Sequence, residues 1–242
     1  MGHIKNSVQI EKMKSACLKT ASIHQKISRI SLAGLTEIEV AEKIDELMQQ
    51  EGIVEKSFPT IVGSGERALI LHAVPTEKVI AENEFIVLDF GGKFEGYCAD
   101  MTRTVSAGNK STSEQREIYT IVLNAQNKAI ESVSMQQSLK SIHKIAKSEL
   151  IRGLDQTALK GKYDIDVLFP HKTSHWIGKD VHEESPLGKL QSYEMLLQAG
   201  LTFTIEPGLY IQNTNTKYDG IGVRIEDVVL MTQNGYEVLT CT

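Results

Sequence analysis

The amino-acid sequence predicts an α+β protein that consists of two similar halves. Two amphipathic helix patterns open the chain, and several short β-rich runs broken by glycine follow them. The same order recurs after about a hundred residues, which indicates two structurally similar halves rather than a short-period repeat array. The sequence between the copies is not rich in Pro, Ser or Gly. We therefore predict one domain over residues 1–242, with halves at about 9–108 and 112–242.

The first half begins with two helix patterns. Residues 9–31 carry apolar or small side chains at spacings of three and four, and Gly34 marks the end of that segment. Thr36 and Glu39 form the capping-box pattern of a second helix, which ends near Gly52.

Four β-rich runs complete the first half, because valine, isoleucine and aromatic residues are concentrated there between glycines. Strands and hairpins are predicted at residues 58–64, 67–74, 84–92 and 97–108.

The second half repeats this order. Thr112 with Gln115 is the capping signal of a long helix, and Ser138 caps a shorter helix that closes near Gly153. Strands are again predicted after the helices, at residues 173–178, 201–212, 222–232 and 236–240.

Composition and charge exclude several classes of function. The chain has 26 basic and 31 acidic side chains, a net charge of -5 and no basic cluster, so nucleic acid is not expected as a partner. The three cysteines lie far apart and outside any metal-binding pattern, which favours reduced thiols in a cytosolic protein. Because the sequence has neither a signal-peptide pattern nor an apolar window of about 20 residues, we expect no membrane association and a cytoplasmic location.

The predicted hairpin at residues 84–104 contains the first candidate site. If Phe94 and Glu95 form its tip, Asp89 and Asp100 lie directly opposite each other on one face. Like charges in that position repel, and an unpaired carboxylate at the end of an apolar strand is costly to bury. Two solvent-exposed acids near a turn are the alternative interpretation. A cation between the carboxylates would remove both difficulties.

Two glutamates in the second half occupy equivalent contexts. Glu206 and Glu226 each lie within an apolar strand-like run, and Pro207 indicates that the first strand is an edge strand or ends there. Either glutamate alone could be an exposed strand residue, whereas together they mirror the two aspartates. Several histidines near predicted strand ends indicate a site rather than isolated core residues: His72, His171, His175 and His182.

Several sequence blocks resemble the signature motifs of the pita-bread metallopeptidases in order and spacing. They are D-F-G-G followed by A-D-M-T-R-T, then S-H-W-I-G-K-D-V-H-E, T-I-E-P-G-L-Y-I and G-I-G-V-R-I-E-D. The most similar branch of that superfamily is that of aminopeptidase P and prolidase, which act on Xaa-Pro bonds. The resemblance covers residues 10–240 and implies a curved antiparallel sheet with helices on its outside.

The resemblance implies a site for two divalent metal ions. Asp89 would chelate one ion, and Asp100 and Glu226 would bridge both. His175 and Glu206 would complete the ligands of the other ion. Four carboxylates and a neutral imidazole balance the charge of two divalent cations. Oxygen-rich ligation without a thiolate favours manganese, with cobalt or zinc as alternatives.

The implied reaction is hydrolysis of the Xaa-Pro bond at a peptide N terminus by a hydroxide that bridges the two ions. Glu206 would be a proton shuttle as well as a ligand, and His182 would stabilise the tetrahedral intermediate. His72 and His171, with His182, would contact the peptide near the scissile bond, and His72 would also assist catalysis. Arg224 would orient the ligand carboxylates from behind them.

Three features depart from the aminopeptidase P pattern. Lys172 follows His171 where the family usually has glycine, and LHAVPT lacks the usual aromatic residue after the histidine. The length leaves no room for the N-terminal creatinase-type domain that these enzymes normally carry. Substrate and oligomer contacts through such a domain are therefore open, with a homodimer as one alternative.

Two other functions remain as alternatives. A methionine aminopeptidase is supported by the short length, by HAVP and by HEESP at residues 182–186. A non-catalytic pita-bread module that binds peptides belongs to a different class. Such modules generally lose metal ligands, whereas all five ligand positions hold competent residues here. A creatinase-like amidinohydrolase is less favoured than either.

Overall fold

The computed structural model describes residues 4–108, 110–183 and 193–241. It begins with helices α1 (Ser7–Ile27) and α2 (Glu37–Gln50). Asn6 and Gln9 form a capping box at the start of α1, so this helix begins two residues before the predicted segment and ends four residues before its predicted end. The capping box predicted for α2 is confirmed, since Thr36 accepts a hydrogen bond from the Glu39 backbone and its own backbone N–H donates to the Glu39 side chain.

The first half contains six strands. Three of them, β2, β3 and β6, form an antiparallel sheet, and three short ones, β1, β4 and β5, form another. Their bounds are Glu55–Lys56 (β1), Ile61–Ser64 (β2), Phe85–Asp89 (β3), Gly92–Phe94 (β4), Tyr97–Cys98 (β5) and Thr102–Ser106 (β6).

The prediction of a strand at residues 67–74 is wrong. A 3-10 turn at Gly65–Leu69 leads into a loop there. Side chains take the place of a strand partner: Arg67 donates to the Val74 carbonyl oxygen and to the carboxylate of Glu37 on α2. The apolar residues of this segment therefore line a loop rather than a sheet.

The predicted register of the β3–β6 hairpin is also wrong. Phe94 pairs with Tyr97, so the tip is Glu95–Gly96, where both residues adopt positive φ angles of 49° and 78°. Asp89 consequently lies opposite Thr102 rather than opposite Asp100. Moving the tip by one residue moves each cross-strand partner by two, so the alternation of strand faces still places both aspartates on one face.

The second half repeats the order of helices followed by strands. Helices α3 (Ser113–Glu131) and α4 (Leu139–Leu154) begin at the predicted caps Thr112 and Ser138, and a short α5 (Ile165–Leu168) follows. Strands β7, β10 and β11 form an antiparallel sheet, and β8 pairs with β9. Their bounds are Thr202–Ile205 (β7), Gly208–Tyr210 (β8), Gly222–Arg224 (β9), Asp227–Thr232 (β10) and Gly235–Val238 (β11).

The prediction of a strand at residues 173–178 is wrong: within the described part of the chain, their only β-bridge is an isolated one between Trp176 and Phe203. The segment nevertheless runs beside β7, because the His175 carbonyl oxygen accepts from Thr204 N–H and the Thr173 carbonyl oxygen accepts from Glu206 N–H. The His175 N–H donates to the Thr204 hydroxyl instead of a backbone carbonyl. Because a side-chain hydroxyl accepts this bond in place of a backbone carbonyl, the regular ladder of backbone hydrogen bonds is interrupted.

Apolar side chains of the helices pack against the sheet of their own half. Ile27 of α1 and Ile44 of α2 belong to one buried cluster with Ile86 of β3. Equivalent clusters in the second half join α3 and α4 to β7 and β10 through Ala129, Leu139, Ile142, Phe203 and Val229. Among the described residues, no helix is both long and apolar enough to cross a membrane.

The two halves meet along β6 and β9. The Thr104 hydroxyl donates to the carbonyl oxygen of Arg224 and accepts from its N–H. The next contact joins Glu226 N–H to the Thr102 carbonyl oxygen at 3.0 Å. These bonds bring the acidic residues of one half next to those of the other.

Candidate metal centre

Each candidate carboxylate lies at the end of a strand or just beyond it. Asp89 is the last residue of β3, and Asp100 lies between β5 and β6. Glu206 directly follows β7, which ends before Pro207 as predicted, and Glu226 lies between β9 and β10. Strand ends place these side chains at one point where the halves meet, although they are up to 137 positions apart in the sequence, from Asp89 to Glu226.

The ring of His175 lies among three of these carboxylates. Its Nε2 atom is 3.4 Å from Asp100 Oδ2, 3.5 Å from Glu206 Oε1 and 4.0 Å from Glu226 Oε1. One ligand atom each from Asp100, His175 and Glu226 can lie within 4.8 Å of one another, close enough to hold a single metal ion. Asp89 interacts electrostatically with Asp100 and thus borders the same cluster.

The cluster is electrostatically unfavourable without a cation. Burial raises the pKa of Asp100 well above its usual range, and the nearby carboxylates of Asp89 and Glu206 raise it further. Burial, Asp100 and Glu206 raise the pKa of Glu226 in the same direction. Burial also raises the pKa of Glu206, against the opposing effect of His175. These carboxylates therefore resist full ionisation unless positive charge is added.

The donor atoms fit a divalent metal of hard or borderline character. Within the described part of the chain, Asp89 Oδ1 and Asp100 Oδ1 are buried and have no hydrogen-bond partner. Buried acceptors without a partner are costly, and carboxylate oxygens with one imidazole nitrogen are ligands of manganese, cobalt and zinc. These residues thus have both the chemistry and the unmatched charge to hold metal ions.

Arg224 contacts the cluster from behind. Its guanidinium is buried and donates to Asp89 Oδ2 at 2.7 Å and to the Tyr210 hydroxyl at 2.8 Å. It also donates to Thr102 Oγ1 and to the Leu71 carbonyl oxygen. All of its nitrogens are therefore occupied by protein acceptors.

Sequence reasoning missed three hydroxyl groups that hold the charged residues. Thr102 donates to Glu226 Oε2 at 2.7 Å, and Thr204 donates to Glu206 Oε1 at 3.3 Å. The buried Tyr210 hydroxyl accepts from Arg224 and lies 3.0 Å from His171 Nε2. The only available signal was their position within A-D-M-T-R-T, T-F-T-I-E and E-P-G-L-Y-I, next to the acids.

The hydrogen bonds of Tyr210 and Lys172 fit a neutral His171. Because the Tyr210 oxygen accepts from Arg224, its proton can be donated to His171 Nε2, and His171 Nδ1–H then donates to the Lys172 carbonyl oxygen at 2.9 Å. This arrangement requires a neutral imidazole. Burial lowers the pKa of His171 to about 4, which is consistent with that state.

The predicted histidines all border one cavity of about 650 Å³, which the candidate acids also line. His171 Nδ1 is 3.8 Å from Glu206 Oε2, and the ring of His182 makes an edge contact with His175 at 4.3 Å between centroids. His72 lies exposed at the cavity wall, next to Leu71. The remainder of the wall is largely apolar, with Phe58, Pro59, Ile61, Leu71, Val74 and Pro75.

Comparisons with known proteins agree with this site. The model of metallopeptidase family M24 matches residues 11–233. An uncharacterized peptidase of Staphylococcus haemolyticus is 37% identical over 238 residues, which represent 98% of this chain and 62% of that protein. An uncharacterized peptidase of Staphylococcus aureus is also 37% identical, with the same coverage. The chain thus spans less than two thirds of the length of these relatives.

Solved structures share the fold. Aminopeptidase P from Escherichia coli with the inhibitor Pro-Leu superposes with a TM-score of 0.92 at 31% identity, over 98% of this chain and 56% of that one. Proline aminopeptidase P II from Yersinia pestis superposes with a TM-score of 0.92 at 30% identity, over 98% and 57% of the two chains. The expected pita-bread fold is confirmed.

Proposed function

Because the chain belongs to metallopeptidase family M24, we propose that it is an aminopeptidase that uses two divalent metal ions to hydrolyse Xaa-Pro bonds at peptide N termini. The observation that carries this proposal is the His175 imidazole among the carboxylates of Asp100, Glu206 and Glu226. The similarity to aminopeptidase P supports the preference for proline. Residues 1–242 would form one catalytic unit of two similar halves.

The proposed ligands are Asp89, Asp100, His175, Glu206 and Glu226. Manganese is the favoured metal, with cobalt and zinc as alternatives, because the donors are four carboxylates and one imidazole. When bound, two such ions would supply hydroxide at neutral pH and polarise the scissile carbonyl.

Glu206 is the proposed proton carrier. It lines the cavity among the other candidate ligands, where its carboxylate can take a proton from water and return it to the leaving nitrogen. The Thr204 hydroxyl donates to Oε1 of its carboxylate at 3.3 Å. This contact favours one orientation of the carboxylate.

The histidines and Arg224 would act on the substrate and on the ligands. His182 and His72 are exposed at the cavity and can donate hydrogen bonds to a developing oxyanion or to the peptide. His171 would contact the peptide near the scissile bond. Arg224 would orient Asp89, to which it donates a hydrogen bond at 2.7 Å.

Two alternatives have weaker support. A methionine aminopeptidase rests on HAVP, at residues 72–75, and on HEESP, of which residues 184–186 lie outside the described residues. A non-catalytic peptide-binding module conflicts with the complete set of candidate ligands. We also propose a cytoplasmic location and peptides with proline at the second position as substrates. A homodimer is one alternative for the oligomeric state.

Metal analysis and product analysis test the function together. The protein should retain manganese, cobalt or zinc and release the first residue from Ala-Pro-Ala or Ala-Pro. Removal of Met from Met-Ala-Ser without cleavage of either Xaa-Pro peptide would favour a methionine aminopeptidase. Absence of bound metal after loading would favour the binding module.

Glu206→Gln tests the chemistry of the site. It should lower turnover by about 10²–10⁴-fold, because it removes a general base while retaining the shape of the side chain. The matched control is Glu46→Gln, which changes an exposed glutamate of α2 outside the cavity. Full activity of the Glu206 variant would refute the proton-carrier role.

A further inference from the structure

Lys172 is a charged residue of the cavity that the proposed mechanism does not use. It lines the cavity and is exposed, and it follows directly after His171. Within the described residues that line the cavity, Arg224 is the only other lysine or arginine. The two cations differ in their availability to a ligand.

Arg224 is buried and uses each of its guanidinium nitrogens in protein contacts. It is 4% exposed, and its guanidinium donates to Asp89, Tyr210, Thr102 and the Leu71 carbonyl. Lys172, in contrast, makes no ion pair with a carboxylate of the described residues. Its ammonium lies 4.5 Å from the ring centroid of Tyr193, a contact that orients the side chain without neutralising its charge.

The backbone on both sides of Lys172 is fixed. The Lys172 carbonyl oxygen accepts from His171 Nδ1, and Thr173 N–H donates to His143 Nδ1. The Thr173 carbonyl oxygen in turn accepts from Glu206 N–H at 2.8 Å. The backbone at Lys172 is therefore tied, through Thr173, to that of the proposed proton carrier.

We propose that Lys172 binds a carboxylate on the leaving part of the substrate, just after the bond that is cleaved; this rests on the proposed Xaa-Pro activity. In an Xaa-Pro dipeptide, the free carboxylate belongs to the proline, which is the residue that follows the scissile bond. The Cα atom of this proline lies ~3.8 Å from that of the first residue. In a longer peptide, an acidic side chain after proline could supply the same group. An ammonium pairs with either source as a point charge.

Paired substrates separate the two sources. Ala-Pro is compared with Ala-Pro-amide for the terminal carboxylate, and Ala-Pro-Asp-Ala-amide with Ala-Pro-Asn-Ala-amide for the side chain. The readout is the ratio of kcat/KM between the acid and its neutral partner. We expect a ratio of about tenfold in at least one pair, as one charge-assisted hydrogen bond would produce.

Lys172→Met should reduce that ratio to about one, and Lys172→Arg should retain most of it. Lys160→Met is the control for net charge, because Lys160 is exposed and lies outside the cavity. Added salt should lower the wild-type ratio. An acid-to-neutral ratio near one in the wild type, or one unchanged by Lys172→Met, would overturn the proposal while leaving the Xaa-Pro activity in place.

A binding measurement keeps the proposal testable if no Xaa-Pro peptide is cleaved. Calorimetric titration of the metal-loaded wild type with the same acid and amide peptides then gives the ratio of Kd values. The same titration with metal-loaded Lys172→Met shows whether Lys172 causes it. A ratio that depends on Lys172 without turnover would refute the proposed reaction and retain the carboxylate site.

Discussion

The bottom of the cavity, here called its base, carries the candidate acids, and its wall carries the histidines. These two parts are held in place in different ways. The acids Asp89, Asp100, Glu206 and Glu226 lie at strand ends, and their supports come from the sheet itself. Thr102, which holds Glu226, is the first residue of β6, and Arg224, which holds Asp89, is the last residue of β9. The base is therefore a direct product of strand pairing.

The histidine wall consists of loops that side chains from distant elements hold in place. Glu37 of α2 is fully buried and accepts from Ser64, Arg67 and Thr76, which border the loop containing His72. His143 of α4 bonds to Thr173, between His171 and His175.

Lys5 joins both ends of the loop that carries His182. Its ammonium donates to the Ile177 carbonyl oxygen at 2.9 Å and to Glu183 Oε2 at 2.7 Å. The comparison indicates that the base depends on the sheet, whereas the wall depends on a few remote anchors.

Glu226→Gln should have the largest effect, because it removes a ligand from the base. We expect turnover to fall by about 10²–10⁴-fold together with metal affinity, the range seen when catalytic groups are removed. Metal content by elemental analysis and activity at increasing metal concentration measure both. Normal metal content with normal activity would show that Glu226 is not a ligand.

The same substitution should stabilise the metal-free protein. Because the pKa of Glu226 is raised on folding, the folded state binds more protons, and the carboxylate destabilises it increasingly as pH rises through the raised pKa. Metal-free Glu226→Gln should therefore exceed the metal-free wild type by ~1–3 kcal/mol in free energy of unfolding near neutral pH. The difference should shrink as pH falls, and thermal unfolding with a chelator at several pH values measures it. A difference that grows in acid would contradict this interpretation.

Lys5→Met should affect the wall without affecting the base. We expect kcat to fall by about tenfold, one order of magnitude per 1.4 kcal/mol, because the His182 loop loses a buried anchor, while metal content stays unchanged. Lys5→Arg should restore most of the loss. Lys14→Met is the control, since Lys14 makes a more exposed pair with Glu237 at 3.0 Å. Equal losses in the Lys5 and Lys14 variants would show that no anchoring role exists.

Glu37→Gln should have the smallest effect, mainly on stability. Burial alone would raise the pKa of Glu37, but hydrogen bonds from Ser64, Thr76 and Arg67 outweigh it and lower the pKa. The ionised form therefore stabilises the fold above the ordinary glutamate range, and this contribution is lost as pH falls through the lowered pKa. The variant should lose ~1–2 kcal/mol near neutral pH and less in acid, as measured by urea unfolding. A loss that does not depend on pH would exclude the charge as its cause.

Local signals in the sequence predicted the helices well. The capping boxes at Thr36 and Thr112 act within one turn, so their identity can be read from four consecutive residues. The ends of the strands were predicted less accurately from the sequence. The tip at Glu95–Gly96 and the loop after Gly65 depend on backbone conformations and side-chain partners that alternation of apolar residues does not report.

The candidate acids and histidines were named from their residue types and motifs, and the structure brings them to one cavity. The residues that hold these acids and histidines in place were not predicted. Tyr210, Thr204 and His143 hold residues of the site through hydrogen bonds, and apart from the motif positions of Tyr210 and Thr204 nothing distinguishes their side chains from ordinary core or surface residues.

The sequence by itself determined the repeated order of helices before strands, the starts of α2, α3 and α4 and the chemical character of the site, because these depend on neighbouring residues and on side-chain type. Only the tertiary structure decided which side chains form hydrogen bonds that hold the residues of the site in place. Lys5 contacts Glu183 across 178 positions and Thr102 contacts Glu226 across 124, and such distances close only when the sheet of each half has formed and the halves have met. Contacts of that length depend on the geometry of the whole fold, which no local pattern contains.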